Sequence, residues 1–302
     1  MSWPVLDPAR DHETLAILHL AAQMLGKIRV KHAPWTNHGW HVALQPNARG
    51  LATLPTAGSK GRTFTLALDL CRHAIVLTTS AEEREELPLD AGSVAALHSG
   101  LIEMLWKYGL PSDFNGKPNE IADAVPFAED SASRNYEPDS ATRFREALAA
   151  MLPAFERFRA GFTGKSSPLH FWWGSFDLAV TRFSGRSGPR HPGGVPGLPD
   201  RITREAYNRE LSSAGFWAGG ATKADAFFYS YAYPEPAGFR EHSIATGAWS
   251  GDWQEFTLPY EEVRAASDPE AVLTSFLQST YEAAADLANW DRLKLEREPI
   301  AP

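Results

Sequence analysis

The stretch SPLHFWWGSFDLAVTRFSGR, residues 167–186, constrains the fold most, because its residue types alternate with the period of a β-strand. On a regular strand one face carries bulky apolar side chains, which we expect to pack against helices: Phe176, Leu178 and Val180. The other face carries one carboxylate among short side chains: Ser175, Asp177, Ala179 and Thr181. This small-residue face either forms the floor of a ligand site or is the ordinary solvent face of an antiparallel sheet.

Helical and strand-like patterns follow one another in the same order in the two halves of the chain. Each half begins with a helical pattern, continues with alternating strand-like segments and closes with another helical pattern. The segment HGWHVAL (38–44), interpreted as a strand, aligns without a gap with GSFDLAV (174–180) and places His41 opposite Asp177. This order reflects either an internal duplication or the chance similarity of two helix–strand–helix runs. We predict an α+β fold, in which two pseudo-duplicated helix–antiparallel-strands–helix halves form one compact unit.

Proline and glycine mark the predicted boundaries of these halves. The predicted division is an N-terminal α+β half (1–110), a connector (111–137) and a C-terminal α+β half (138–302). The C-terminal half carries a predicted long loop insertion, 184–221, because its prolines and glycines disfavour regular structure as far as residue 200. The insertion ends in Phe216 and Trp217, whose rings need burial. We therefore expect an ordered loop that folds back over the small-residue face.

Charge and composition exclude several classes of protein. A formal net charge of −8 disfavours nucleic acid as the main partner, because phosphate contacts require clustered Lys and Arg side chains. No apolar run is long enough to span a membrane, and the N-terminus lacks the pattern of a secretory signal. Cys71 is the single cysteine, so no intramolecular disulfide can form. We expect a soluble cytoplasmic protein.

Candidate site residues come from the predicted strands and the loops beside them, because no P-loop, GxGxxG, GxSxG or HExxH motif occurs. The candidate catalytic residues are His41, as general acid or base, with Asp177 or Asp69 orienting it or holding a substrate cation. The candidate substrate-binding residues are Asn37, His38, His170, Trp173, Arg182, Arg186, His191 and Tyr207. Among these, Arg182, Arg186 and His191 are expected to hold an anionic group. We predict no metal site, and the sequence specifies neither a cofactor nor an oligomeric state.

Five segments carry a resemblance to a known family: GKIRV, PWTNHGWHVAL, SPLHFWWGSFDLAVTRFSGR, HPGGVPGLPDRITREAYNRELSSAGFW and FLQSTYEAAADLANWDRL. Together they resemble an uncharacterised bacterial family of unknown function. The resemblance spans nearly the whole chain, implies a soluble cytoplasmic protein and supplies no substrate or reaction.

The leading functional hypothesis is a small-molecule enzyme whose cleft lies near the join of the two halves. It would perform acid–base chemistry on a small polar or anionic substrate. The alternative is a non-catalytic protein that binds a ligand or another protein through exposed aromatic side chains.

Overall fold

The computed structural model describes residues 3–220 and 224–297. The outer ends of the predicted halves (1–2 and 298–302) and the last residue of the predicted insertion (221) lie outside the described residues. The helices are α1 (Pro8–His32), α2 (Val94–Lys107), α3 (Pro138–Ala160), α4 (Asp200–Ala206), α5 (Tyr260–Ala265), α6 (Pro269–Leu287) and α7 (Arg292–Leu295). The strands are β1 (Gln45–Asn47), β2 (Gly50–Ala52), β3 (Thr56–Ala57), β4 (Thr63–Asp69), β5 (Ala74–Thr79), β6 (Arg84–Pro88), β7 (His170–Trp172), β8 (Asp177–Ser187), β9 (Arg209–Trp217), β10 (Phe227–Tyr233), β11 (Ala248–Ser250) and β12 (Glu255–Pro259).

The strands form two antiparallel sheets, so the predicted α+β class is confirmed. The first sheet has the order β1-β2-β4-β5-β6, with β3 paired to β4, and the second has the order β11-β12-β10-β9-β8-β7. Within residues 3–220 and 224–297 the two sheets meet at one bridge, in which the backbone N–H groups of Leu44 and Phe171 donate to each other's carbonyls at 3.0 and 2.8 Å. This bridge thus joins the two sheets edge to edge.

The predicted internal duplication is not confirmed. The segment 38–44 does not form a strand: Asn37–Gly39 is a 3₁₀ turn, and His41 lies in the irregular chain that follows it. His38 has a φ of 58°, a left-handed conformation that interrupts any extended structure at this point. Asp177, by contrast, is the first residue of an eleven-residue strand, β8. The gapless alignment therefore pairs His41, in irregular chain, with the first residue of a strand.

Helix α1 lies at the centre of the molecule and is buried on most sides. It begins after Asp7, whose side chain accepts from the Ala9 N–H at 3.0 Å, and Pro8 occupies the first helical position, where its missing N–H costs nothing. Burial on most sides forces its polar residues to find partners within the protein. Arg29, for example, donates to the carbonyls of His41 at 2.9 Å and Pro55 at 2.8 Å. The helix thereby fixes the chain that follows it.

The two faces of β8 divide as the alternation predicts. Leu178 and Val180 are fully buried in the core beneath the second sheet, whereas Asp177, Ala179 and Thr181 point to the opposite face and line a cavity. Phe176 also lies in the core, but it belongs to the turn before β8 and has a φ of 64°. The small-residue face is therefore the floor of a cavity.

The segment 184–221 differs from the predicted long loop. Its end is strand β9, which hydrogen-bonds to β8 on one side and to β10 on the other, and its middle contains α4. Its longest stretch without helix or strand is 188–199, which contains all four prolines of the segment. From Ser212 to Trp217 the residues of β9 are small or ring-bearing and fit the interior of a sheet.

Candidate functional site

A cavity of about 700 Å³ lies over the small-residue face of the second sheet. Its floor comes from β8, β9 and β10, and its walls come from α1, the chain after it, the connector and the segment from residue 195 to α4. This volume falls within the usual range for small-molecule sites. The cavity therefore draws on both predicted halves and on the connector between them.

The floor is a set of rows in which side chains of neighbouring strands stand beside one another. Strand register places Asp177 beside Trp217 and Trp217 beside Phe227 in the first row. The second row is Ala179, Gly215 and Tyr229, and the third is Thr181, Ser213 and Tyr231. In the second and third rows, the small residues of β8 and β9 thus leave an open space. The aromatic residues of β10 lie along one side of this space.

Asp177 is the most deeply buried carboxyl group of the cavity, with an exposed fraction of 6 %. Burial raises its pKa to about 6, although the hydroxyl groups of Ser175 and Tyr229 both donate to the carboxylate and partly oppose the rise. Tyr229 stands two strands away and reaches Asp177 across Gly215. A Cβ atom on Gly215 would lie 2.4 Å from the Tyr229 hydroxyl oxygen, so only glycine permits this approach.

Two further carboxyl groups line the same cavity. Burial, and secondarily the charge of Asp177, raises the pKa of Glu120 to about 7 and that of Glu255 to about 8. Glu120 is open to the cavity but closely surrounded by protein: a Cβ atom on Gly174 would lie 2.0 Å from Glu120 Oε1. Glu120 also has a φ of 57°, an unusual backbone conformation that often accompanies functional positions. The pKa of each of the three carboxyl groups is therefore raised above its ordinary value.

Three tyrosines supply hydroxyl groups beside these carboxyls. The Tyr207 and Tyr231 hydroxyls are hydrogen-bonded at 3.0 Å, and Tyr231 stacks on Tyr229 with ring centroids 6.2 Å apart. Burial raises the pKa of each tyrosine above its usual value, so all three remain neutral donors. Trp217 and Phe227 of the first row form an aromatic cluster with Trp253, with centroids 5.0 to 5.3 Å apart.

The wall formed by α1 carries an amine. Lys27 donates to Asn119 Oδ1, and its Nζ lies 5.7 Å from the centre of the Trp173 ring. Burial lowers the Lys27 pKa to about 8. The backbone of Asn119 is held by Gln23, whose side-chain amide accepts from the Asn119 N–H at 2.7 Å and donates to its carbonyl at 2.8 Å.

Four of the residues proposed from sequence line the cavity: Asp177, His38, Trp173 and Tyr207. His38 donates from Nδ1 to the Ala206 carbonyl at 3.2 Å, which leaves Nε2 to accept from Lys165 at 2.6 Å. His191 does not line the cavity, but its ring stacks on Tyr207 with centroids 4.9 Å apart. The segment from residue 195 to α4 contributes Val195, Leu198 and Ile202 to the lining of the cavity.

The other candidates from the first half stand apart from the cavity lining. Asn37 is exposed in the 3₁₀ turn. His41 is 3 % exposed, and its Nδ1 accepts from the Thr36 N–H at 3.2 Å. Asp69 lies at the end of β4 in the other sheet, where Arg49 donates to both of its oxygens at 2.7 and 3.0 Å. The structure therefore does not bring Asp69 to Asp177.

The remaining candidates are held by other partners. His170 is 2 % exposed and packs edge-on against Trp40 and Trp172 rather than lining the cavity. Arg182 lies on the core face of β8, with its guanidinium 3.5 Å from the Phe158 ring centre. Arg186 pairs with Glu210 and donates to the carbonyls of Ala288 and Asn289. Neither arginine reaches the cavity to hold an anion.

Several cavity residues are absent from the sequence-based set. Glu255, Tyr229 and Tyr231 carried a usable signal, because the alternation in QEFTLPY and AFFYSYAYP places them opposite the core-facing residues. No sequence signal marked Lys27, because it lies in α1, a helix that is buried on most sides. Glu120 carried no signal, because it lies in an irregular connector.

The described residues contain no group of three or more His, Cys, Asp or Glu side chains placed to hold a metal ion. Over the same part of the chain, no helix combines the length and apolar character needed to cross a bilayer.

Comparison with known proteins identifies a family and no individual relative. No curated protein and no solved structure gives a significant match to the chain. A family model described as "Family of unknown function (DUF5996)" matches residues 3–297, which is nearly the whole chain. The protein therefore belongs to this family, whose function is unknown.

Proposed function

We propose that the protein is an enzyme that binds a small molecule in this cavity and performs acid–base chemistry on it. The observation that carries the proposal is the convergence of Asp177, Glu120 and Glu255 on one enclosed space, each with a pKa raised towards neutrality. Carboxyl groups with such pKa values can both accept and donate a proton at physiological pH. Clusters of perturbed groups in a cavity are typical of catalytic sites.

The contacts support different roles for the three carboxyl groups. Asp177 is fixed by hydrogen bonds from Ser175 and Tyr229 and is suited to orienting a substrate. Glu120 and Glu255 line the cavity and are more open to it, so they are suited to exchanging a proton with the substrate. The Tyr207 and Tyr231 hydroxyls, already bonded to each other, can rotate to donate to a developing negative charge.

The lining favours a small polar substrate with an apolar or aromatic portion. Tryptophan and phenylalanine rings line much of the cavity, beside carboxyl, hydroxyl and amide groups. An anionic substrate has less support, since Arg182 and Arg186 are engaged elsewhere. His41 is buried beside the cavity wall, where it can act only by supporting neighbouring residues.

The second candidate function is non-catalytic binding of an aromatic or apolar ligand. The cluster of Trp217, Phe227 and Trp253, with Trp253 half exposed, supports it. Turnover of a bound molecule separates the two functions. We also propose a cytoplasmic location and no nucleic-acid partner, supported by the single exposed cysteine and the net charge of −8.

A thermal-shift screen of small polar aromatic compounds, followed by NMR detection of turnover for each hit, tests the proposal. We expect hits to bind at least about tenfold more weakly to Asp177→Asn, because a neutral amide cannot match the carboxylate. The matched control is Tyr233→Phe on the same sheet face, whose hydroxyl donates to the Pro189 carbonyl outside the cavity lining. Hits that stabilise Asp177→Asn as much as the unaltered protein contradict the proposal.

A further inference from the structure

We propose that Lys27 is a reactive amine of this cavity and forms an imine with an aldehyde or ketone group of the substrate. The inference rests on the proposed function, since it takes the cavity to be the substrate site, and it adds a substrate class, a carbonyl compound. Lys27 was not among the residues that the sequence indicated, and the acid–base roles of the three carboxyl groups do not use it.

The position of Lys27 distinguishes it from an ordinary surface lysine. It lies on the buried helix α1 with an exposed fraction of 5 %, and it lines the cavity. Its hydrogen bond goes to a neutral amide oxygen, Asn119 Oδ1, and no Asp or Glu of residues 3–220 and 224–297 forms an ion pair with it. Lys31, one turn further along, also lines the cavity but is 53 % exposed and paired with Asp113.

The neighbours of Lys27 hold its amino group in place without neutralising its charge. Asn119 Nδ2 donates to the Gly197 carbonyl at 2.8 Å, which turns Oδ1 towards Lys27. The Trp173 ring is fixed by its own bond from Nε1 to the Val42 carbonyl at 2.9 Å. It also packs so closely on Gly26 that a Cβ atom there would lie 2.0 Å from the ring. The amine therefore faces a rigid, largely apolar surrounding.

Such surroundings favour the neutral, nucleophilic form of a lysine. Burial without a carboxylate partner destabilises the ammonium ion, and the Lys27 pKa of about 8 is consistent with a substantial neutral fraction near physiological pH. A lysine in an ion pair, by contrast, keeps its proton. This difference makes Lys31 an internal reference for the reactivity of Lys27.

The chemistry needs one acid, which the connector supplies. The Nζ lone pair attacks the carbonyl carbon and forms a C–N bond, and a proton moves from nitrogen to the carbonyl oxygen to give a carbinolamine. Glu120, the residue after Asn119, then donates a proton to the hydroxyl group, which leaves as water while the C=N bond forms. The protonated imine returns a proton to Glu120. The overall change is amine plus carbonyl giving imine plus water, with no oxidant or reductant.

Reductive trapping on the full-length protein tests the inference. The protein is incubated with benzaldehyde and cyanoborohydride at about pH 7.5, and labelled lysines are located by peptide mass spectrometry. A trapped adduct adds the mass of the aldehyde less one oxygen atom. We expect labelling of Lys27 to be at least about tenfold faster than that of Lys31, with a rate that rises with pH around a midpoint near 8. Equal labelling, or labelling of Lys31 without Lys27, overturns the inference.

Variants separate this inference from the proposed function. Lys27→Arg keeps a cation but cannot form an imine, so its labelling at position 27 must vanish, and Glu120→Gln is expected to slow labelling of Lys27 because it removes the acid. If Asp177→Asn loses ligand binding while Lys27 resists labelling, the imine is refuted and the proposed function stands. If Lys27 is labelled while Asp177→Asn binds every hit normally, the proposed function fails and the reactive amine stands.

Discussion

Replacing Asp177 with asparagine is expected to remove a pH-dependent penalty from the free energy of unfolding. The carboxyl group has a pKa of about 6 in the folded protein and an ordinary value of 3.8 when exposed. As the pH rises between these values, the unfolded chain ionises while the folded protein holds its proton. The stability contributed by this group is therefore full below the lower value and is lost as the pH rises through the folded pKa.

The size of the effect follows from the shift, since one pKa unit corresponds to about 1.4 kcal/mol. Asp177 is 6 % exposed, so solvent screening is small, and the full penalty is about 3 kcal/mol above the folded pKa. Asparagine retains the geometry, because its oxygen can accept from Tyr229 and its amide can donate to Ser175. The stability of Asp177→Asn relative to the unaltered protein should therefore increase by about 3 kcal/mol across the window.

The measurement is urea unfolding of both proteins at several pH values between about 4 and 7. Asp69→Asn is the matched control. The hydrogen bonds from Arg49 and from two backbone amides outweigh burial and lower the Asp69 pKa, so its contribution is present at high pH and lost as the pH falls. Because that loss falls mostly below about pH 4, Asp69→Asn should show no comparable gain in relative stability between about pH 4 and 7. A difference between Asp177→Asn and the unaltered protein that stays constant within about 0.5 kcal/mol refutes the reasoning.

Three substitutions test the geometry of the site. Gly215→Ala should displace the Tyr229 ring and weaken binding of cavity ligands at least about tenfold, measured by calorimetry, with the fold retained by circular dichroism. Gly174→Ala should push Glu120 from its position and lower turnover more than binding; unchanged turnover would contradict the placement of that carboxyl group. Arg182→Ala should lower the free energy of unfolding by about 3 kcal/mol in urea, because it leaves a void in a packed region. Ligand binding should stay unchanged. Weaker binding would show that Arg182 contributes to the site.

Strand alternation carried most of what the sequence could predict about the site. It placed Asp177 on an open face and Val180 in the core, and the structure has both there. The same alternation places Arg182 on the core face, because residues 178, 180 and 182 share one side of the strand. The prediction that Arg182 binds substrate did not take this alternation into account. The charge of an arginine suggested exposure, whereas three aromatic rings enclose it, with the Tyr281 ring centre 4.2 Å from the guanidinium carbon.

Other parts of the site could not be predicted, because they depend on contacts between residues far apart in the chain. Glu120 follows Asn119, whose backbone is held by Gln23, 96 residues before Asn119, and no local pattern reports such a pairing. His41 was misplaced for a local reason: its neighbour His38 adopts a positive φ, which apolar alternation does not reveal. The segment 184–221 was treated as one insertion, although its prolines and glycines disfavour regular structure only as far as residue 200 and strand-forming residues follow.

The attachment of the connector to Gln23 has a consequence for how this family can diversify. The Gln23 side-chain amide hydrogen-bonds to both the N–H and the carbonyl of Asn119, as a neighbouring β-strand would. Unlike a strand, it makes no hydrogen bonds within the described part of the chain that would fix the residues beside Asn119. The rest of the connector therefore does not need the alternating sequence pattern of a β-strand. We expect substitutions of lining residues on either side of that anchor, such as Asn115 and Glu120, to leave the sheet and helices intact. Selectivity for different ligands can therefore evolve along this segment independently of the scaffold.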